Sequence, residues 1–147
     1  MPRVKIVKMC PEHIPDVVRI DRESVPDPWS ENAFISSMGY SNYIMLSAVD
    51  ENDRAVGFIA ASFVFGDINI DNFAVDKAFR RMGVGSMLLT ELEGLVESFA
   101  ECIHLEVRES NATAQSLYRT FGFEVDGMRK NFYSKPTENA VLMTKRV

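Results

Sequence analysis

"FAVDKAFRRMGVGSMLLTELE", residues 73–93, decides how the chain is read. Phe73, Ala74 and Val75 end an apolar strand. Two arginines and two glycines follow, and then an apolar-periodic helix. A helix start exposes unpaired N–H groups and the positive end of the helix dipole, so it holds anions. Gly83 and Gly85 let an anion come close to the backbone, and Arg80 and Arg81 add charge beside it. A nucleoside triphosphate loop would need a Gly-Lys pair, and the chain has none. A dinucleotide loop would need a third glycine where Leu88 stands, and would usually sit on the first strand. What remains is a pyrophosphate held mostly by backbone, without magnesium. The plain alternative is a glycine turn leading into a core helix.

Outward from this loop, the patterning gives β-α-α-β-β-β-α-β-α-β-β. "VKIVKM" alternates as a strand, and Ile14, Val17 and Val18 mark a helix within "PEHIPDVVRIDRE". Ser30 can cap a helix "ENAFISSM", and Gly39 can end it. "YIMLSAV" and "AVGFIAASFVFG" form a hairpin around "DENDR", and "INIDNFAV" is the strand that feeds the loop. After the loop, Val84, Leu88, Leu92, Leu95 and Phe99 mark one helix face. "CIHLEVR" is a strand and "NATAQSLYRTFG" a helix stopped by Gly122. "FEVDGMRKNFYS" and "NAVLMTKRV" close the chain as two strands around "KPTE". The pattern is mixed α/β with a strand–helix–strand unit in the middle.

The 147 residues suit one domain spanning 1–147, with 46% hydrophobic and 25% charged residues. A net charge of −5 argues against nucleic acid and anionic membranes and favours a basic partner. Two cysteines, Cys10 and Cys102, make no disulfide framework, and two histidines suggest no metal cluster. The start "MPRVKIVKMC" lacks an apolar signal region, and the longest apolar run is too short to span a bilayer. A cytoplasmic setting is the expectation.

A second stretch, "HLEVRESNATAQSLYRTFGF", carries chemistry. Strand alternation puts Cys102, His104, Glu106 and Arg108 on one face and Ile103, Leu105 and Val107 on the other. Asn111 and Tyr118 are two helical turns apart on one helix face. A carboxylate and a phenol can thus converge on one cleft. Amide formation from an amine and a thioester uses such a pair: the amine loses a proton and the departing thiolate gains one. Each residue also has a bland role: Glu106 as a solvated carboxylate or partner of Arg108, Tyr118 as a packed tyrosine, Asn111 as a helix cap.

The loop motif resembles the acetyl-CoA signature Q/R-x-x-G-x-G/A of the GNAT acyltransferases. The resemblance implies that Phe73, Ala74 and Val75 pair with the pantetheine arm. Arg81, Met82, Gly83, Val84, Gly85 and Ser86 would hold the pyrophosphate, and Asn111 and Tyr118 would touch the cofactor. A proline common in the family is replaced by Lys77, and Arg80 stands for a frequent glutamine. The second stretch resembles the RimI-type ribosomal-protein alanine N-acetyltransferases, whose pattern LEVR-x-SN-x-x-A-x-x-LY-x-x-x-GF is met at every fixed position. "PWS" at 28–30 and "RKNFYSKPTENAVLM" at 129–143 extend the likeness over nearly the whole chain. There Phe132 replaces a tyrosine and Asn139 an aspartate.

The resemblance implies an α/β (α+β) GNAT fold: a mixed, mostly antiparallel seven-stranded sheet flanked by about four helices, splayed between "INIDNFAV" and "CIHLEVR". It implies acetyl-CoA as co-substrate and direct attack by a protein N-terminal amine, that of an N-terminal alanine on a basic small-subunit ribosomal protein. Glu106 would be the base, Tyr118 the acid, and a backbone N–H near Ala74 would polarise the thioester. Trp29 and Tyr133 would line the peptide site. No metal is implied, and a monomer or weak homodimer is expected. Acetylation of lysine or a small amine, a non-catalytic acyl-CoA-binding module and a subunit of a larger complex stay open.

Overall fold

The computed structural model describes residues 3–147; residues 1 and 2 of the span read as one domain lie outside the described residues. The strands are β1 Lys5–Lys8, β2 Tyr43–Val49, β3 Ala55–Val64, β4 Asp67–Val75, β5 Cys102–Arg108, β6 Glu124–Tyr133 and β7 Glu138–Arg146. The helices are α1 Ile14–Ser24, α2 Glu31–Met38, α3 Val84–Val96 and α4 Ala112–Thr120. They form one seven-stranded sheet in the order β1-β2-β3-β4-β5-β7-β6. Every neighbouring pair is antiparallel except β4 and β5. The expected fold class and element order hold.

The centre of the sheet is buried on both sides, while the edge strand β6 is mostly exposed. Helices α3 and α4 cover one face through Leu88, Leu92 and Tyr118, which pack with Ile59, Ile68 and Met143. Helices α1 and α2 cover the other through Val17, Ile20 and Phe34, which pack with Phe58 and Ala60. Alternating burial in β5 follows: Ile103, Leu105 and Val107 are buried and their neighbours are not.

Local signals explain the ends. The Ser30 hydroxyl accepts the Ala33 N–H at the start of α2. Gly122 follows α4 at φ +95°, a left-handed stop. Gly39 ends α2 in an ordinary right-handed conformation. Helix α3 departs from the expected face. It ends at Val96 and buries Val84, Leu88, Leu89, Leu92 and Val96. Phe99 lies in the turn beyond and packs edge-on against Phe63, with ring centroids 5.4 Å apart. Leu95 and Phe99 are about half exposed, because the buried stripe runs through Val96 and Ala100 beside them.

Two irregularities position the site. In the β3–β4 ladder Ala60 pairs with Asn72 and Ala61 with Ile70, so Asp71 is an extra residue, a bulge. Bulges bend a strand and increase its twist. The β4–β5 ladder runs from Asp67↔Cys102 to Ile70↔Leu105 and stops at that bulge. Beyond it the two strands separate.

Candidate active site

The α3 start has the geometry expected of an anion site. Gly83 caps the helix at φ +82°, and a Cβ there would meet nothing within 4 Å. The backbone on that side is open. Arg81 is also left-handed at φ +63°, and Arg81, Met82 and Gly83 are exposed. Arg80 turns away: its Nε donates to the Val75 carbonyl at 3.2 Å. Gly85 has a different reason from the one expected. A Cβ there would lie 3.3 Å from Phe73 Cζ and 3.4 Å from Leu117 Cδ2. Its smallness seats α3 against β4 and α4. Ser86 lies in the first turn, beside Val84 and Gly85. Past Ile70, β4 has no β5 partner, so Phe73, Ala74 and Val75 face a slot that opens toward this helix start. An open glycine backbone at a helix start and an unpaired strand edge beside it fit a pyrophosphate and an amide-bearing arm.

Tyr118 is buried against this slot. Its ring centroid lies 6.1 Å from Phe73 and 5.7 Å from Phe123. Burial, and then the charge of Tyr133, push its phenol far above the ordinary value and hold it protonated. Glu106 stands on the opposite face of β5 from the Leu105 side that packs with Tyr118. The two therefore meet only through the separation of β4 and β5. Glu106 is exposed and sits in an open cleft of about 480 Å³ with Asp71, His104, Arg129 and Tyr133. Its nearest cation is Arg129, at 3.9 Å, rather than Arg108. Asn111 caps α4, its Oδ1 accepting the Ala114 N–H at 3.1 Å.

Tyr133 joins the two sides. Its hydroxyl is pushed up to about 12, by burial first and then by the Glu106 charge. The Arg108 guanidinium covers its ring at 4.5 Å. Arg108 also donates to the carbonyls of Ser134 and Pro136, at 2.9 and 3.2 Å, and to Glu138 at 3.1 Å. It lies 3.7 Å from Asp27 of the α1–α2 loop. One side chain thus ties the end of β5 to the β6–β7 turn and faces the loop that carries Trp29. Asn139 holds the same hairpin, its Oδ1 accepting the Asn131 N–H at 2.9 Å. Its amide supplies the acceptor that an aspartate would.

Trp29 packs on Phe34 at 5.2 Å and covers the α1–α2 core. It does not line the Glu106 cleft. Its backbone N–H donates to the buried Asp21 Oδ2 at 2.9 Å, which also accepts from Asn72 Nδ2 at 2.8 Å. Asp21 therefore links the α1–α2 loop to the residue after the β4 bulge. The sequence carried a signal for it: Asp21 lies four residues after Val17 and three after Val18, on the apolar stripe of α1. Arg108 had no such signal, because its partners are 26 to 30 residues away.

The model of the Acetyltransferase (GNAT) family matches residues 14–123. The chain is 34% identical over 133 residues to the [Ribosomal protein bS18]-alanine N-acetyltransferase of Salmonella typhimurium, covering 88% of each chain. Among solved structures, the ribosomal-protein-S18-alanine N-acetyltransferase from Escherichia coli superposes with a TM-score of 0.89 at 27% identity. That match covers 99% of this chain and 94% of the other. Arabidopsis thaliana NAA60 in complex with acetyl-CoA has the same fold, with a TM-score of 0.90 at 16% identity and 99% of both chains covered. On these matches the chain belongs to the GNAT family of acetyltransferases.

Proposed function

We propose that this chain transfers an acetyl group from acetyl-CoA to a protein N-terminal amine, that of an N-terminal alanine on a basic ribosomal protein of the bS18 type. The observation that carries the reading is the separation of β4 and β5 past Ile70 and Leu105. It joins a buried phenol on one face of the sheet to an open carboxylate cleft on the other. The names of relatives at 33–35% identity support the substrate class.

When bound, acetyl-CoA supplies an acyl group activated as a thioester. Phe73, Ala74 and Val75 line the arm, and Gly83 to Ser86 hold the pyrophosphate at the α3 start. Asn111 lies beside the arm at the α4 start. Glu106 accepts the amine proton through water. An α-amine, with an ordinary pKa of about 7.7–8.0, asks less of a carboxylate than a lysine near 10.4. The amine nitrogen attacks the carbonyl carbon directly, and a backbone N–H near Ala74 stabilises the charge on its oxygen. The carbon–sulfur bond breaks, and the sulfur takes the Tyr118 proton that burial has kept in place. Tyr133, stacked under Arg108, holds the incoming peptide, and Trp29 supports the loop on its other side.

Steady-state kinetics on the purified chain test this. Glu106→Gln and Tyr118→Phe should each lower kcat about 10²–10⁴-fold and leave acetyl-CoA affinity unchanged. Full activity in both variants would remove the assigned roles. A panel of free and blocked N-terminal peptides decides the substrate: acetylation confined to blocked, lysine-bearing peptides would overturn the N-terminal reading.

A further inference from the structure

The parallel ladder of β4 and β5 brings together three residues that the counts of cysteine and histidine did not suggest as a cluster. Asp67 pairs with Cys102, and His104 lies two residues further along β5. Cys102 and His104 therefore stand on one face, the face of Glu106. A carboxylate oxygen of Asp67, the Cys102 sulfur and a His104 ring nitrogen all lie within 4.8 Å of one another. All three residues are partly buried, and acetyl transfer as derived above uses none of them.

His104 faces an acceptor at each ring nitrogen. Nε2 is 2.9 Å from Asp67 Oδ2, and Nδ1 is 2.8 Å from Thr144 Oγ1. The Thr144 hydroxyl donates its own proton to Asp126 at 2.5 Å. Its oxygen is then free to accept from His104 Nδ1, and Nε2 is left facing Asp67 with the Cys102 sulfur close by. A metal-ligating histidine is characteristically held in this way, its other N–H donated to a hydrogen-bonded partner.

We propose that Asp67, Cys102 and His104 form a three-ligand site for a thiophilic divalent cation of the zinc class. The ligands are an Asp67 oxygen, the Cys102 thiolate and His104 Nε2, and the fourth position is left for water. Zinc bonds of roughly 2.0–2.3 Å in a tetrahedron put ligand atoms roughly 3.3–3.8 Å apart. The present spacing reaches that by side-chain movements of about 1 Å, on a backbone fixed by strand pairing. Binding releases the thiol proton, and any second proton on the ring, to solvent. The site adjoins the cleft of Glu106 and Tyr133 through His104, which lines it. If that cleft takes a cationic N-terminus, as proposed above, the bound ion opposes the peptide by charge and leaves acetyl-CoA binding alone.

Cobalt(II) is the probe, because a thiolate ligand gives it a near-ultraviolet charge-transfer band. The full chain should show that band at one ion per chain, displaced by zinc. Cys102→Ser should abolish it, His104→Gln should weaken binding at least tenfold, and Thr144→Val should weaken it about tenfold or more through the ring orientation. Cys10→Ser should change nothing; Cys10 is the competing thiol, with its sulfur 3.5 Å from His13 Nε2. Absence of the band in the unmutated chain overturns the site. A band lost in Cys10→Ser and kept in Cys102→Ser also overturns it. These readouts need no acetyl transfer, so the metal site and the proposed activity fail separately. Zinc inhibition competitive with peptide supports the placement beside that cleft, and inhibition competitive with acetyl-CoA refutes it.

Discussion

Replacing Asp21 by alanine should cost more than most surface changes cost, and its size can be worked from the contacts. The carboxylate has no exposed area. Oδ2 accepts from Trp29 N–H and Asn72 Nδ2, and Oδ1 has no hydrogen-bond partner among the described residues. Truncation leaves two donors without their acceptor, at about 1–3 kcal/mol each, or about 2–6 kcal/mol together. For a domain of this size that is a fall in Tm of roughly 4–24 °C. Asp21→Asn keeps an acceptor for both donors and should lose far less. The pH dependence separates charge from geometry. Burial raises the carboxyl above its ordinary range, against the lowering effect of its two donors. The folded state therefore holds this proton at pH values where the unfolded chain has released it. Its contribution to stability falls as pH rises from the ordinary carboxylate range through the folded value. The unmutated protein should thus gain on Asp21→Asn as pH falls from 7 toward 4. Urea unfolding at several pH values measures both effects. An alanine variant within about 1 kcal/mol of the parent, or a parent-to-Asn difference that is flat with pH, would refute the reasoning.

Gly85→Ala puts a methyl group 3.3 Å from Phe73 Cζ. It should overpack by about 1–3 kcal/mol, shift the first turn of α3 and raise the KM for acetyl-CoA several-fold with the peptide KM unchanged, as bisubstrate kinetics will report. The two raised tyrosines predict alkaline sensitivity. Unfolded tyrosine ionises near pH ~10, while burial keeps Tyr118 and Tyr133 protonated to higher pH. Stability should fall as pH rises past ~10, and Tyr118→Phe and Tyr133→Phe should each flatten that slope in denaturant melts.

Much of this molecule was legible because its signals are local. The alternation in "CIHLEVR" and the cap and apolar spacing of "ENAFISSM" gave β5 and α2 with the bounds observed. Gly122 was legible as a left-handed stop, and Gly83 as a glycine that leaves the backbone open at the α3 start. What stayed hidden depends on pairing between distant segments. Nothing local shows that Arg108 will reach the β6–β7 turn, or that Asp67 will lie beside Cys102. The burial of Leu89 and Val96 in place of Leu95 and Phe99 depends on how α3 is rotated over the sheet. Gly85 was read as opening the backbone to an anion, but its smallness answers to Phe73 and Leu117, on two other elements.

The extra residue Asp71 also changes the parity of β4. Before it, even-numbered positions face α3 and α4: Ile68 and Ile70 belong to that core. After it, odd-numbered positions do: Phe73 and Val75 join the same core, and Ala74 joins the opposite one. A strict period of two through "INIDNFAV" would put all three on the wrong sides. Deleting Asp71 would put Phe73 two positions after Ile70, so Phe73 and Val75 would keep the face they share with Ile68 and Ile70. Phe73 would stay with Tyr118 and Gly85, but β4 would lose the bend at which its pairing with β5 stops. One inserted residue therefore sets where the strands part while the side chains on either side of it keep their faces.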